Sequence, residues 1–134
     1  MSRRRIDLRN RLLAPTALLG ASVTVILLKN LVGRPRPDGF APLIPMPDDP
    51  SFPSAHAAQA IAYWLAICLT TGNSTLNKPL LALTAAVTLA VGLSRVYLRA
   101  HYPSDVVAGL IVGIAWVCFA RRLIPALRRS RSHR

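Results

Sequence analysis

The chain has 134 residues, 52% of them hydrophobic, and a mean hydropathy of +0.38, yet it carries a formal net charge of +12 and a pI near 11.6. That length allows one domain at most, and apolar bulk combined with strong basicity suits a membrane protein with basic loops better than a soluble one. The basic residues cluster at the ends of apolar segments, without the aromatic interleaving that stacks on bases, which argues against a nucleic-acid partner.

In chain order, a basic arm (Arg3, Arg4, Arg5, Arg9, Arg11) leads into the first apolar stretch, Leu12 to Leu28. A Pro-rich loop from Gly33 to Pro53 follows, then Ala57 to Thr71, a short turn over Gly72 to Lys78, and Pro79 to Leu93. The segment Arg95 to Ser104 connects to the last stretch, Val106 to Ala120, and a second basic tail closes the chain. Each stretch is near the lower limit of about 17 residues for crossing a bilayer. Arg11, Lys29, Arg121 and Arg122 extend the spans by snorkelling. A soluble bundle would need polar helix faces, which these stretches lack. The expected fold is therefore all-α: a polytopic membrane helical bundle with about four transmembrane helices in one domain, 1–134. Residues 1–11 form a basic arm, 12–120 a four-helix core and 121–134 a basic tail.

With an even number of spans, both basic termini lie on one side, and the positive-inside rule makes that side cytoplasmic. The Gly33 to Pro53 loop and the Arg95 to Ser104 segment then face outward. The start faintly resembles a twin-arginine leader, but no small-residue cleavage site follows the apolar run, so a retained span is expected. Gly109 and Gly113 form a small-xxx-small pair, a sign of close helix packing and not of chemistry. Cys68 and Cys118 each lie within an apolar run and read as buried free thiols.

Three motifs fall on the outward side: Lys29-x6-Arg36-Pro37, Pro53-Ser54-Ala55-His56, and Ser94-Arg95-x5-His101-x3-Asp105. Arg36 and Arg95 offer planar forks for bidentate contact with a phosphoryl group, and Lys29 a point charge. Catalysis of phosphoryl transfer is mostly positioning and electrostatic stabilisation, which such cations supply. Ser54 is a good N-cap before an Ala-rich helix, so the free N–H groups from Ala55 onward would face an anion, with His56 in the first turn beside it. Pro103 belongs in the first turn of the last helix, which puts Asp105 at its start, one turn beyond His101. A carboxylate there can accept the Nδ1 proton of His101 and leave Nε2 as a nucleophile; alternatively it only stabilises the helix N-terminus. Asp38, Asp48 and Asp49 in the loop read as solvated. No Cys, His and carboxylate set has metal-ligand spacing, so neither metal nor other cofactor is expected.

These motifs resemble the signature of the type 2 phosphatidic acid phosphatase superfamily, which shares its site with vanadium haloperoxidases. That signature is Lys-x6-Arg-Pro, Pro-Ser-Gly-His and Ser-Arg-x5-His-x3-Asp, and one fixed letter differs here, Ala55 standing for Gly. The resemblance implies that Lys29, Arg36, Ser54, Ala55 and Arg95 bind phosphate, that His101 is the nucleophile, that Asp105 orients it, and that His56 protonates the leaving group. Membrane members typically have six spans, with two before the one that carries the first motif, and this chain begins at that span. A homo-oligomer or another membrane partner is expected in place of the missing helices. The expected activity is metal-independent hydrolysis of a lipid phosphate or polyprenyl diphosphate. The expected place is a bacterial inner membrane, with the site facing the periplasm or exterior. Vanadate-dependent haloperoxidase activity, or non-catalytic binding of anionic lipids through the tails, are the alternatives.

Overall fold

The computed structural model describes residues 8–39, 41, 43–71 and 74–131, and among them it contains four α-helices and no strand. The helices are α1 (Leu8–Val32), α2 (Ala55–Thr70), α3 (Ser74–Tyr97) and α4 (Pro103–Arg131). Arg3, Arg4, Arg5 and Gly72, all named above, and the end of the basic tail, 132–134, lie outside the described residues. The expected all-α bundle is what forms. α4 continues as helix past Ala120, through the beginning of the basic tail.

Three helices hold apolar windows of 22 residues each: Arg11–Val32, Leu76–Tyr97 and Pro103–Ile124. At 1.5 Å per residue each reaches about 33 Å, enough for a hydrocarbon core of about 30 Å. α2, with 16 residues, reaches only about 24 Å. It is the central helix and packs against each of the other three, while α3 touches α4 only slightly and α1 not at all.

The interior is built from small residues and the exterior from large apolar ones, the reverse of a soluble protein. Ala17, Ala21, Ala58, Ala62 and Ala66 are completely buried, whereas Leu19, Ile26, Leu31, Leu93 and Ile111 are more than half exposed. Such a surface is stable when its solvent is lipid, and the chain is an integral membrane protein. Close packing of small residues then supplies the association that the hydrophobic effect cannot supply between helices in lipid.

The buried stripes also carry the polar residues to one end of the bundle. On α1, every fourth residue is buried: Leu13, Ala17, Ala21, Val25 and then Lys29. On α4 the stripe Asp105, Gly109, Gly113, Val117 starts at a carboxylate. Lys29 therefore points into the bundle instead of snorkelling outward. α4 approaches α2 closely because two glycines face it. A Cβ at Gly109 would lie 2.4 Å from the Ser54 carbonyl oxygen, and one at Gly113 would lie 2.4 Å from that of Ala58. Gly109→Ala is expected to push the helices apart and cost about 1–3 kcal/mol, as overpacking does. Thermal unfolding in detergent measures this; an unchanged midpoint would mean the contact is not structural.

Candidate functional site

Hydrogen bonds to backbone carbonyls tie the motif-bearing segments together. The Ser54 N–H donates to the Asp105 carbonyl at 2.9 Å, tying the start of α2 to the start of α4. The Ser51 N–H donates to the Arg34 carbonyl at 2.8 Å, folding the loop back on the end of α1. Arg36 Nη1 donates to the Ala100 carbonyl at 2.9 Å, linking the first motif to the third. α3 ends where Arg99 takes a left-handed conformation (φ 58°), and the N–H groups of Ala100 and His101 both donate to the Arg95 carbonyl. This is a helix C-terminus of the kind usually closed by glycine. It turns the chain so that His101 points into the bundle, where it is buried.

His101 Nδ1 lies 2.7 Å from the Ser51 carbonyl oxygen. A carbonyl can only accept, so Nδ1 carries the proton and Nε2 keeps its lone pair. The expected partner, Asp105, is further away: its Oδ2 is 3.7 Å from Nδ1. That oxygen instead accepts from the Tyr102 N–H at 2.9 Å, capping the start of α4, while Oδ1 accepts from Arg34 Nη1 at 2.9 Å. The reading of Asp105 as the direct acceptor from Nδ1 is thus corrected. The carboxylate fixes the turn that holds His101, and the loop carbonyl of Ser51 accepts the hydrogen bond from Nδ1–H.

Burial first, and then the positive charge of Arg36, lowers the pKa of His101 to about 4, against the opposing pull of Ser51 and Asp105. Because the folded value lies below the ordinary one of about 6.5, His101 is neutral at pH 7 and takes a proton only as the pH falls toward 4. Titration of the labelled imidazole by NMR in detergent should show this. A midpoint at 6 or above would mean that His101 is not held in this environment.

His56 is exposed in the first turn of α2, outside the three long spans. Burial of part of its ring, followed by the charges of Arg95, Arg36 and Lys29, pushes its pKa below the ordinary value. Three cations from two motifs therefore act on one imidazole. Ser54 occupies the N-cap position of α2, as expected, but its hydroxyl makes no capping bond. The hydroxyl is completely buried and has no partner, which in a native structure calls for one. It stands at the start of α2, where leading N–H groups suit an anion, and the charges of Lys29 and Arg36 act on His56 in the same turn. A cavity of about 190 Å³ that His101 lines is completed by Pro37, Val96, Arg99, Tyr102 and Pro103.

Sequence reasoning missed three participants. Arg34 neutralises the fully buried Asp105, donates to Ser104 Oγ at 2.8 Å, and stacks 4.0 Å over the Tyr102 ring. A buried carboxylate needs a cation within reach, and the neighbouring Arg34-Pro35-Arg36 pattern was the available signal. The Ser51 carbonyl left no signal, since a backbone acceptor has no side-chain identity. Asp49 is not merely solvated: Oδ2 is 2.8 Å from Lys29 Nζ and Oδ1 is 2.6 Å from Arg36 Nη2. Among the described residues no cluster of three His, Cys, Asp or Glu side chains could hold a metal.

Comparison with known proteins gives a consistent result. A family model described as the PAP2 superfamily matches residues 11–129. The decaprenylphosphoryl-5-phosphoribose phosphatase of Mycobacterium tuberculosis is 36% identical over 107 residues, covering 78% of this chain and 56% of that protein. The lipid A 1-phosphatase of Rhizobium johnstonii is 38% identical over 108 residues, covering 75% and 41%. The chain thus spans about half the length of these curated relatives. Among solved structures, a transmembrane PAP2-type phosphatidylglycerolphosphate phosphatase from Bacillus subtilis superposes with a TM-score of 0.77 at 28% identity, over 86% of this chain and 59% of that one.

Proposed function

This chain belongs to the PAP2 superfamily, and from that premise we propose that it is an integral membrane phosphatase that hydrolyses a lipid phosphate monoester or polyprenyl diphosphate through a phosphohistidine. The observation that carries the reading is the buried, unpartnered Ser54 hydroxyl at the start of α2, set in one site with a histidine whose Nε2 is bare. An anion seat beside a neutral imidazole suits nucleophilic attack on phosphorus. The relatives' names, all phosphatases of lipid-linked groups, support the substrate class.

In the first step, His101 Nε2 forms a bond to phosphorus while the bond from phosphorus to the lipid oxygen breaks. His56 gives that oxygen its proton. Lys29, Arg36, Arg95, the Ser54 hydroxyl and the Ala55 N–H hold the equatorial oxygens. In the second step His56, now neutral, takes a proton from water. The hydroxide attacks phosphorus, free phosphate leaves, and His101 recovers its lone pair. Burial, and then Arg95, Arg36 and Lys29, lower the His56 pKa, and a phosphate dianion on those cations offsets their part of the lowering. Substrate binding thereby loads the acid. Asp105 acts through the turn at Tyr102, and through its charge, to position His101. No metal enters either step.

His101→Ala should abolish phosphoenzyme formation from a nitrophenyl phosphate, whereas His56→Ala should still form it, because nitrophenolate leaves without a proton. On a lipid phosphate both variants should lose activity, by about 10²–10⁴-fold for loss of the acid. The parent's activity should survive excess chelator. A phosphoenzyme in His101→Ala but not in His56→Ala would reverse the assigned roles, and turnover lost to chelator and restored by magnesium would replace the reaction class.

The orientation proposed for the bundle has both basic ends in the cytoplasm and the site outside, in keeping with an inner-membrane enzyme that acts at the outer leaflet. On a background lacking Cys68 and Cys118, an impermeant thiol reagent should label a cysteine at position 48 and not one at position 130 in intact cells. The opposite pattern would move the site to the cytoplasm.

A further inference from the structure

Asp49 lies in the loop between α1 and α2, and its carboxylate bridges the two first-motif cations, Lys29 and Arg36. The cations' side chains are 9% and 12% exposed, while that of Asp49 is 48% exposed. The two cations are thus largely enclosed, while the carboxylate between them borders solvent. Burial opposes the ionised form, but Lys29 and Arg36 outweigh it and hold the Asp49 pKa below its ordinary value, so the group is a full anion at neutral pH. A carboxylate accepts from these donors the charge-assisted hydrogen bonds that two phosphate oxygens would accept.

We infer that Asp49 is a built-in competitor for the anion seat that sets specificity by charge, admitting phosphate monoesters and diphosphates and keeping out singly charged phosphodiesters. The inference rests on the reading of Lys29 and Arg36 as phosphate ligands. Being tethered, the carboxylate is always at high effective concentration, and an incoming group must outbid it while losing its own translational freedom. A phosphodiester brings one negative charge and merely exchanges one monoanion for another. A monoester brings about 1.5 to 2 charges at neutral pH and gains further attraction from the same cations. At a bilayer surface most phosphate groups are diesters, so a seat without such a competitor would be filled by bulk lipid.

The arrangement permits a clean test, because backbone groups hold the cations in place independently of the carboxylate. Arg36 Nε donates to the Asp49 carbonyl at 3.0 Å and Nη1 to that of Ala100, while Lys29 Nζ donates to the Pro50 carbonyl. Asp49→Asn removes the charge and leaves these bonds. Binding of inorganic phosphate and of dimethyl phosphate should be measured by calorimetry on the whole chain in detergent, for the parent, Asp49→Asn, Asp49→Ala and Arg36→Ala. The parent should prefer inorganic phosphate. Both Asp49 variants should bind dimethyl phosphate more tightly, by about tenfold, with a smaller gain for inorganic phosphate, so that the preference narrows. Weaker binding of both anions would make Asp49 a support for the cations and overturn the inference, as would an unchanged preference. If Arg36→Ala loses phosphate while the Asp49 variants match the parent, only the inference falls. If Arg36→Ala binds as the parent does, or the parent binds neither anion, the phosphate seat itself is misplaced and the inference falls with it.

Discussion

The close approach of α4 to α2 is the constraint on which the other features rest. Gly109 and Gly113 on α4 lie against the backbone at Ser54 and Ala58, with the side chains of Ala57 and Ile61 beside them, so the two backbones meet closely. In lipid this contact is worth more than any burial of large apolar groups, because the surrounding tails are as apolar as the side chains themselves. Its consequence at the motif-bearing end of the bundle is a backbone hydrogen bond from Ser54 to the Asp105 carbonyl. The second and third motifs, separated in sequence by most of α2 and most of α3, thereby share one frame. Packing and site are one arrangement, since the stripe that provides the glycines begins at Asp105.

Around that frame, charges are placed so that each has an opposite within reach. Asp105 is fully buried and stays tolerable because Arg34 and the Tyr102 N–H use its two oxygens. Lys29 and Arg36 share Asp49. His101, lowered first by burial and then by the charge of Arg36, stays neutral at pH 7 although Asp105 lies 3.7 Å away. The balance is what a nucleophilic imidazole requires, for a carboxylate bonded directly to Nδ1 would raise its basicity and its affinity for a proton. The loop carbonyl of Ser51 fixes the tautomer without adding a charge.

The sequence by itself determined the helical class and the membrane setting, and it supplied most of the candidate site residues. Apolar stretches of spanning length leave no polar face for water, and that conclusion needs no coordinates. Lys29, Arg36, His56, Arg95, His101 and Asp105 were legible because phosphoryl chemistry demands particular side chains, and side chains are what a sequence records. The glycine pair was legible for the same reason, since only a missing Cβ allows such an approach.

Tertiary structure alone decided who touches whom. Asp105 is one helical turn from His101 in sequence and would seem its natural partner, yet the turn at Tyr102 directs the carboxylate to its own helix and to Arg34. The Ser51 carbonyl is 50 residues from the imidazole it orients, and a backbone oxygen is the same in every residue type. Asp49 looked like any solvated loop acid until the loop folded back over α1 and brought it between two cations. Side-chain chemistry can be read along a chain, but long-range backbone contacts and the sharing of charges arise only when distant segments are packed together, because they depend on distance and not on residue type.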